Sequence, residues 1–200
     1  MKVISNGIDL NIFNKNKIDN QDYILFSKDD FILIQVASFS LQKDQDTIVR
    51  ALALLPSKFK LLLVGDGKRR KEVEELVNKL DLKERVMFLG NRVDVPNLLN
   101  YADVNVLSSH FEGFGLTVVE GMAMSRPSIA SDVDGVREIL DGYGLLFKKG
   151  DEKELATLLL KLESDKYFYQ KISNSCYERA KEYDITKMVD SYIDEYKKLI

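Results

Sequence analysis

Between residues 31 and 147, short apolar runs alternate with segments of helical periodicity. No other property of the sequence restricts the fold as much. The apolar runs fall at 31–39, 60–64, 86–89, 104–107, 128–131 and 145–147. Short runs of this kind suit parallel strands buried on both faces. The intervening helices are expected at 46–55, closed by Pro56, and at 69–81, with Val73, Leu76, Val77 and Leu80 on one face. Further helices are expected at 95–101, with Asp94 as cap and Pro96 in the first turn, at 116–124, and at about 135–140. The pattern predicts an α/β fold, a Rossmann-like three-layer sandwich with a mostly parallel sheet. Its loops at 38–43, 65–69, 90–93, 108–115 and 131–135 should open on the one edge where such sheets bind ligands.

The flanks differ. Residues 2–5 look strand-like, Asn6-Gly7 is a turn signal, and 14–30 form a polar excursion. After residue 150 the chain is helical. Asp151 and Glu154 resemble a capping box for a helix that turns Leu155, Leu158, Leu159 and Leu162 inward. A second helix covers about 166–182. A third, from about Ile185, carries Val189, Tyr192, Tyr196 and Leu199 as an apolar stripe, expected to stay partly exposed or to self-associate. The whole is expected to be a single domain over 1–200, with its core at about 31–150 and helices over 151–200.

Composition excludes several classes of function. The chain of 200 residues is 45% apolar and 30% charged, ordinary for a globular protein. Its net charge of −3 argues against a nucleic-acid partner. Cys176 is the only cysteine and His110 the only histidine. That excludes an internal disulfide, a cysteine zinc site, a multi-histidine metal site and most catalytic triads. No apolar run approaches the roughly 20 residues of a membrane span, and no signal-peptide pattern opens the chain. The cytosol is the expected compartment.

Candidate chemistry concentrates at 102–124, ADVNVLSSHFEGFGLTVVEGMAM. A strand, a glycine loop and a helix in that order present backbone amides at a helix N-terminus, where a phosphate binds well. Glu112 lies on the loop and Glu120 on the helix, so both can face one ligand from different sides. Carboxylates accept hydroxyl hydrogen bonds worth roughly 1.5–3 kcal/mol each when charged, which suits a polyol such as a sugar or ribose. Solvated glutamates near a helix N-terminus are the plainer alternative. Gly113 and Gly115 permit close backbone approach, or simply a tight turn. The amides of Phe114, Gly115, Leu116 and Thr117 would face a diphosphate. Lys43, at the start of the first helix, can reach the same anion. Gly65 and Gly67 form a second close-approach turn around Asp66. The basic run 68–71 reads either as a phosphate contact or as a solvated face. His110 is a general-base candidate or a hydrogen-bonded structural residue, and Ser108-Ser109 are pocket donors or polar loop residues.

Taken together, these residues resemble the C-terminal, donor-binding half of the retaining glycosyltransferases of GT-B fold, the large family that includes sucrose synthases and bacterial mannosyl- and glucosyltransferases. The resemblance begins at Val3-Ile4-Ser5-Asn6-Gly7-Ile8-Asp9 and Phe13 and continues through Gln42-Lys43, Val64-Gly65-Asp66-Gly67 and Phe88-Leu89-Gly90. Glu112 to Glu120 matches the family's two glutamates flanking seven residues. Pro127, Gly135, Glu138, Gly144-Leu145-Leu146 and Gly150-Asp151 follow in order.

The resemblance implies that Glu112 acts at the donor sugar near the reacting centre. It places Glu120 on the ribose, Lys43 and the amides near Gly115 to Thr117 on the diphosphate, and Arg92 and Val93 by the base. The substrate would be a nucleoside-diphosphate sugar, with no metal or other cofactor, because cations and amides stabilise the leaving group.

Two departures carry expectations of their own. Ala37-Ser38 stands where the family has Gly-Arg, which removes a phosphate cation that Lys43 or the 68–71 run must replace. The family's N-terminal acceptor domain has no counterpart in this sequence. The chain is therefore expected to bind donor and, alone, to transfer nothing. Any peripheral membrane association at the inner face would come through that missing domain. A noncatalytic interaction domain of the same fold is the alternative, and a nucleotide-sugar epimerase of related fold a more distant one.

Overall fold

The computed structural model describes residues 3–18 and 25–198. Six strands form one sheet: β1 Phe31–Val36, β2 Phe59–Val64, β3 Val86–Gly90, β4 Val104–Leu107, β5 Ser128–Ser131 and β6 Leu145–Phe147. Their order across the sheet is β3-β2-β1-β4-β5-β6, and every neighbouring pair is parallel. Among the described residues eight α-helices accompany them: α1 Gln45–Ala53, α2 Arg70–Lys79, α3 Val95–Tyr101, α4 Leu116–Ala123, α5 Arg137–Leu140, α6 Glu152–Ser164, α7 Lys166–Ala180 and α8 Ile185–Lys197. The three-layer α/β sandwich predicted from the alternating pattern is the observed fold.

Pleating explains why apolar residues on the strands face both ways, while the few buried polar ones, Gln35, Asn105, Ser128 and Ser131, lie among them. Leu33, Leu61 and Leu63 point to one face, where they pack with Ile48, Leu52, Val73 and Val77 of α1 and α2 and with Leu155 and Leu159 of α6. Ile32, Ile34, Leu62 and Val64 point the other way, onto Leu98 and Leu99 of α3. Beyond them Ala130 packs under Val118, Val119 and Met122 of α4 and Cys176 of α7. Each leucine or isoleucine so buried contributes about 1.5–3 kcal/mol.

Several expectations need correction. The strand expected over 31–39 ends at Val36, yet Phe39 is still buried because its ring packs into the core, 5.9 Å from that of Phe88. Its apolar character reflects burial rather than pairing. The strand-like run at 2–5 begins outside the described residues, and residues 3–5 form no strand; Val3 is exposed. The N-terminal segment is instead tied down by a parallel bridge, in which Ile8 N–H donates to Tyr183 O and Ile185 N–H donates to Ile8 O, both at 2.9 Å, and by the packing of Ile8, Leu10 and Phe13 against the core.

Asp94 occupies the N-cap position of α3 without a side-chain capping bond, because Arg92 holds its carboxylate at 2.8 and 2.7 Å. At α6 only half of the predicted box forms. Asp151 accepts from the amides of Lys153 and Glu154, but Glu154 reaches the amide of Lys148. In α8 none of the described residues is buried, so the predicted stripe at Val189, Tyr192 and Tyr196 is exposed; Leu199 lies outside the described residues.

Candidate functional site

In this strand order the chain leaves β1 towards β2, and later crosses back to place β4 on the other side of β1. The C-terminal ends of β1 and β4 therefore border a crevice of the kind that holds ligands in open parallel sheets. The loop 37–44 enters this crevice from β1, and the loop 108–115 enters it from β4.

A polar web inside the crevice fixes both loops. Gln35, near the end of β1 and 1% exposed, sends Nε2 to the carbonyl of Lys43 at 2.9 Å. Ser108 Oγ lies 2.7 Å from Asp44 O and 3.1 Å from Gln35 Oε1. Gln42 accepts from the amide of His110 at 2.7 Å and donates to Phe111 O at 2.9 Å. Asp44, in the left-handed region at φ +44°, then turns the chain into α1. The consequence is an ion pair between the two loops: Lys43 Nζ stands 2.5 Å from Glu112 Oε1, and Ser109 Oγ donates to the same oxygen at 2.6 Å. Glu112 is only 7% exposed.

The backbone around Glu112 combines tight packing with open space. A Cβ on Gly135 would meet the carbonyl oxygens of Glu112 and Gly113 at 2.6 and 2.7 Å, so the loop after β5 presses directly on this turn. A Cβ on Gly113 would meet nothing within 4 Å. Gly115, at φ +86°, starts α4, and no side chain caps it. The amides of Leu116 and Thr117 consequently have no acceptor among the described residues. The ring of Phe114 turns away to stack edge-on with Tyr183 at 5.4 Å, leaving the backbone of Phe114 as the part that can meet a ligand.

Glu120 sits on α4 without a side-chain partner among the described residues, and burial pushes its carboxyl up to about 7. His110 points to Asp44, with Nε2 3.5 Å from Oδ2. Burial raises the Asp44 carboxyl, while the Thr47 hydroxyl at 2.6 Å and His110 pull it back. That contact, with its amide bond to Gln42, gives His110 a bracing role between the loops.

The remaining sequence candidates lie farther out. Gly65 and Gly67 are close-approach glycines, but the groups approached are protein: a Cβ would come 2.2 Å from Ala37 O at one and 2.4 Å from Phe39 O at the other. Arg92 and Val93 follow β3, two strand spacings or about 10 Å from β1; Val93 is fully exposed. In the basic run, Arg69 is engaged by Asp46 and Glu72, and Arg70 by Glu74 and Asp66. Those carboxylates offset the charge of the two arginines at the start of α2. Gln35 was absent from the sequence candidates. Its one visible mark is being the polar residue in FILIQV. The described residues contain no cluster of His, Cys, Asp or Glu that could hold a metal ion, and no helix among them is long and apolar enough to cross a membrane.

Comparison with known proteins places this geometry in context. N-acetyl-alpha-D-glucosaminyl L-malate synthase of Bacillus anthracis is 31% identical over 188 residues, covering 91% of this chain and 48% of the relative. HepE of Anabaena, in complex with UDP-glucose, superposes with a TM-score of 0.88 at 26% identity, covering 98% of this chain and 57% of that one. Sucrose-phosphate synthase of Thermosynechococcus elongatus gives a TM-score of 0.90 at 27% identity over 99% of this chain and 52% of the other. The chain thus spans about half the length of each of these three proteins. The architecture is that of the C-terminal half of the GT-B fold. The profile of the family described as Glycosyl transferases group 1 matches residues 16–183, and the chain belongs to that family.

Proposed function

We propose that this chain is the donor-binding half of a retaining glycosyltransferase that moves a sugar from a nucleoside-diphosphate sugar to a saccharide or glycolipid acceptor. The observation that carries this reading is the Lys43–Glu112 pair, set across the exits of β1 and β4 beside the uncapped start of α4. Lys43 and the amides of Leu116 and Thr117 take the diphosphate, and in doing so stabilise the charge that develops on the departing nucleotide. Glu112 accepts from the donor sugar's hydroxyls over the open backbone of Gly113, and Glu120 accepts from the ribose. Arg92 and Val93 border the base. Transfer requires an acceptor-binding domain opposite this face, so the isolated half binds donor without turning it over. Any membrane association belongs to that second domain.

Calorimetric titration with UDP, GDP, ADP and their glucose or mannose conjugates tests the assignment. The expected result is saturable binding of at least one nucleotide sugar, weakened about tenfold or more by Lys43→Met, as befits a lost charge-assisted bond. No heat from any of these compounds at millimolar concentration would remove the reading.

A second reading is a noncatalytic domain that keeps the fold without using a donor. One observation favours it: Ala37-Ser38 offers no cation at the exit of β1, and the carbonyl of Ser38 is occupied by Gln45 Nε2 at 2.9 Å. It predicts that the same titrations are flat.

A further inference from the structure

We propose that Glu112 makes this site select against the bare nucleoside diphosphate, so that the resting Lys43–Glu112 pair favours donor over spent product. The inference rests on the donor-site reading above and concerns how that site tells substrate from product.

Lys43 is the only lysine or arginine in either loop, 37–44 or 108–115. The neighbouring arginines Arg69 and Arg70 are engaged by their own carboxylates. The cation that would receive a diphosphate is thus already neutralised, at 2.5 Å, by Glu112. Glu112 cannot easily move aside. Its oxygen Oε1 is held by the Ser109 hydroxyl at 2.6 Å, and the residue is 7% exposed between the loops from β4 and β5. An arriving diphosphate must therefore share Lys43 while Glu112 stays in place.

The two ligands meet Glu112 with different chemistry. In a nucleotide sugar the terminal phosphate is an ester, and the group beyond it is a polyol whose hydroxyls donate to a carboxylate. After transfer, that ester oxygen becomes an ionisable phosphate oxygen facing the same carboxylate. Like charges a few ångströms apart in a mostly buried site repel strongly, whereas a carboxylate facing hydroxyls is satisfied. Glu112 thereby attracts the donor and disfavours the product, a difference that assists release.

The test is calorimetry at pH 8 on the full 200-residue chain and on Glu112→Gln. Both are titrated with UDP, GDP and ADP and with UDP-glucose, GDP-mannose and ADP-glucose. Glutamine keeps the shape and an acceptor oxygen for Lys43 and Ser109 while removing the charge. The expected result is about tenfold tighter binding of the bare diphosphate by Glu112→Gln, with the matching sugar nucleotide unchanged or weaker. Unchanged or weaker binding of the bare diphosphate, or an equal gain for both ligands, overturns the inference and leaves the donor reading intact. Absence of binding by both proteins to every compound overturns the donor reading and the inference with it.

Lys43→Gln provides a second arm that does not depend on the fold of the first variant, because it leaves Glu112 charged and uncompensated. The bare diphosphate should then lose several-fold more affinity than the sugar nucleotide; equal losses overturn the inference. A carboxylate that merely braces its loop would not produce opposite signs for the two ligands.

Discussion

The hydroxyl of Ser108, just past β4, lies 2.7 Å from the backbone carbonyl of Asp44, at the start of α1. The contact joins segments 64 residues apart and lies beside the point where Lys43 leaves its turn. With Gln35 beneath it, Ser108 forms a buried polar junction at the exits of β1 and β4. Ser108→Ala would remove the one hydroxyl proton between these acceptors and leave the carbonyl of Asp44, the nearest of them at 2.7 Å, without this donor. Loss of a buried partner costs about 1–3 kcal/mol. The expected outcome in urea unfolding is a lower midpoint at unchanged slope, with nucleotide binding weakened several-fold because Lys43 is no longer held towards Glu112.

How far the sequence could reveal this arrangement depends on the range of the interactions. The strand–helix alternation and the strands at 104–107, 128–131 and 145–147 were legible, because a short parallel strand covered on both faces stands out from its polar flanks by its apolar residues, even where Asn105 or Ser128 and Ser131 interrupt the run. Glu112, Lys43 and the 113–117 turn were legible as a pattern of residue types. The web that orients them was not. Gln35 reaches Lys43 only because the strand end passes under the loop, and one polar residue at a strand terminus carries no mark of that. Phe39 misled for the same reason: a buried loop residue has the composition of a strand residue. The Arg69 and Arg70 partners were hidden partly because Asp46 sits on another helix.

The glycines divide into two classes that substitution can separate. Gly65→Ala would place a Cβ 2.2 Å from Ala37 O at φ +123°, combining overlap with backbone strain. A loss of more than about 2 kcal/mol is expected, seen as a lower melting temperature. Gly113→Ala meets no protein atom within 4 Å and should leave stability nearly unchanged. Its methyl group would instead occupy the space assigned to the sugar, so sugar-nucleotide affinity should fall while the melting temperature stays constant.

Glu120 links stability to pH. Burial raises its carboxyl from 4.5 to about 7 in the folded chain. Between those values the folded state holds a proton that the unfolded state has released, so this residue's contribution is complete below pH 4.5 and is lost as pH rises through about 7. Glu120→Gln, permanently neutral, should be more stable than the parent at pH 8 and should flatten the melting-temperature profile between pH 4.5 and 7. A carboxylate partnered by ribose hydroxyls should also bind better when ionised. Affinity for a sugar nucleotide should therefore rise towards pH 8 in the parent and not in the variant.

The last prediction concerns α8. Its apolar residues Ile185, Val189, Tyr192, Ile193 and Tyr196 are 37–66% exposed, and none of its described residues is buried. Repeated exposure along one short amphipathic helix exceeds the scatter of single apolar residues expected on a soluble surface. The helix is anchored at its start, where Asp184 accepts from the amide of Thr186 and Ile185 N–H reaches Ile8 O. It is therefore held in place while its stripe remains uncovered. Replacing Ile193 and Tyr196 by serine removes apolar surface without opening a core cavity, so thermal stability should change by no more than about 0.5 kcal/mol per site. Self-association of the parent at high micromolar concentration should diminish in the double variant, as read by sedimentation velocity. A parent chain that stays monomeric throughout, or a double variant that unfolds, would show that the stripe is not a free contact surface.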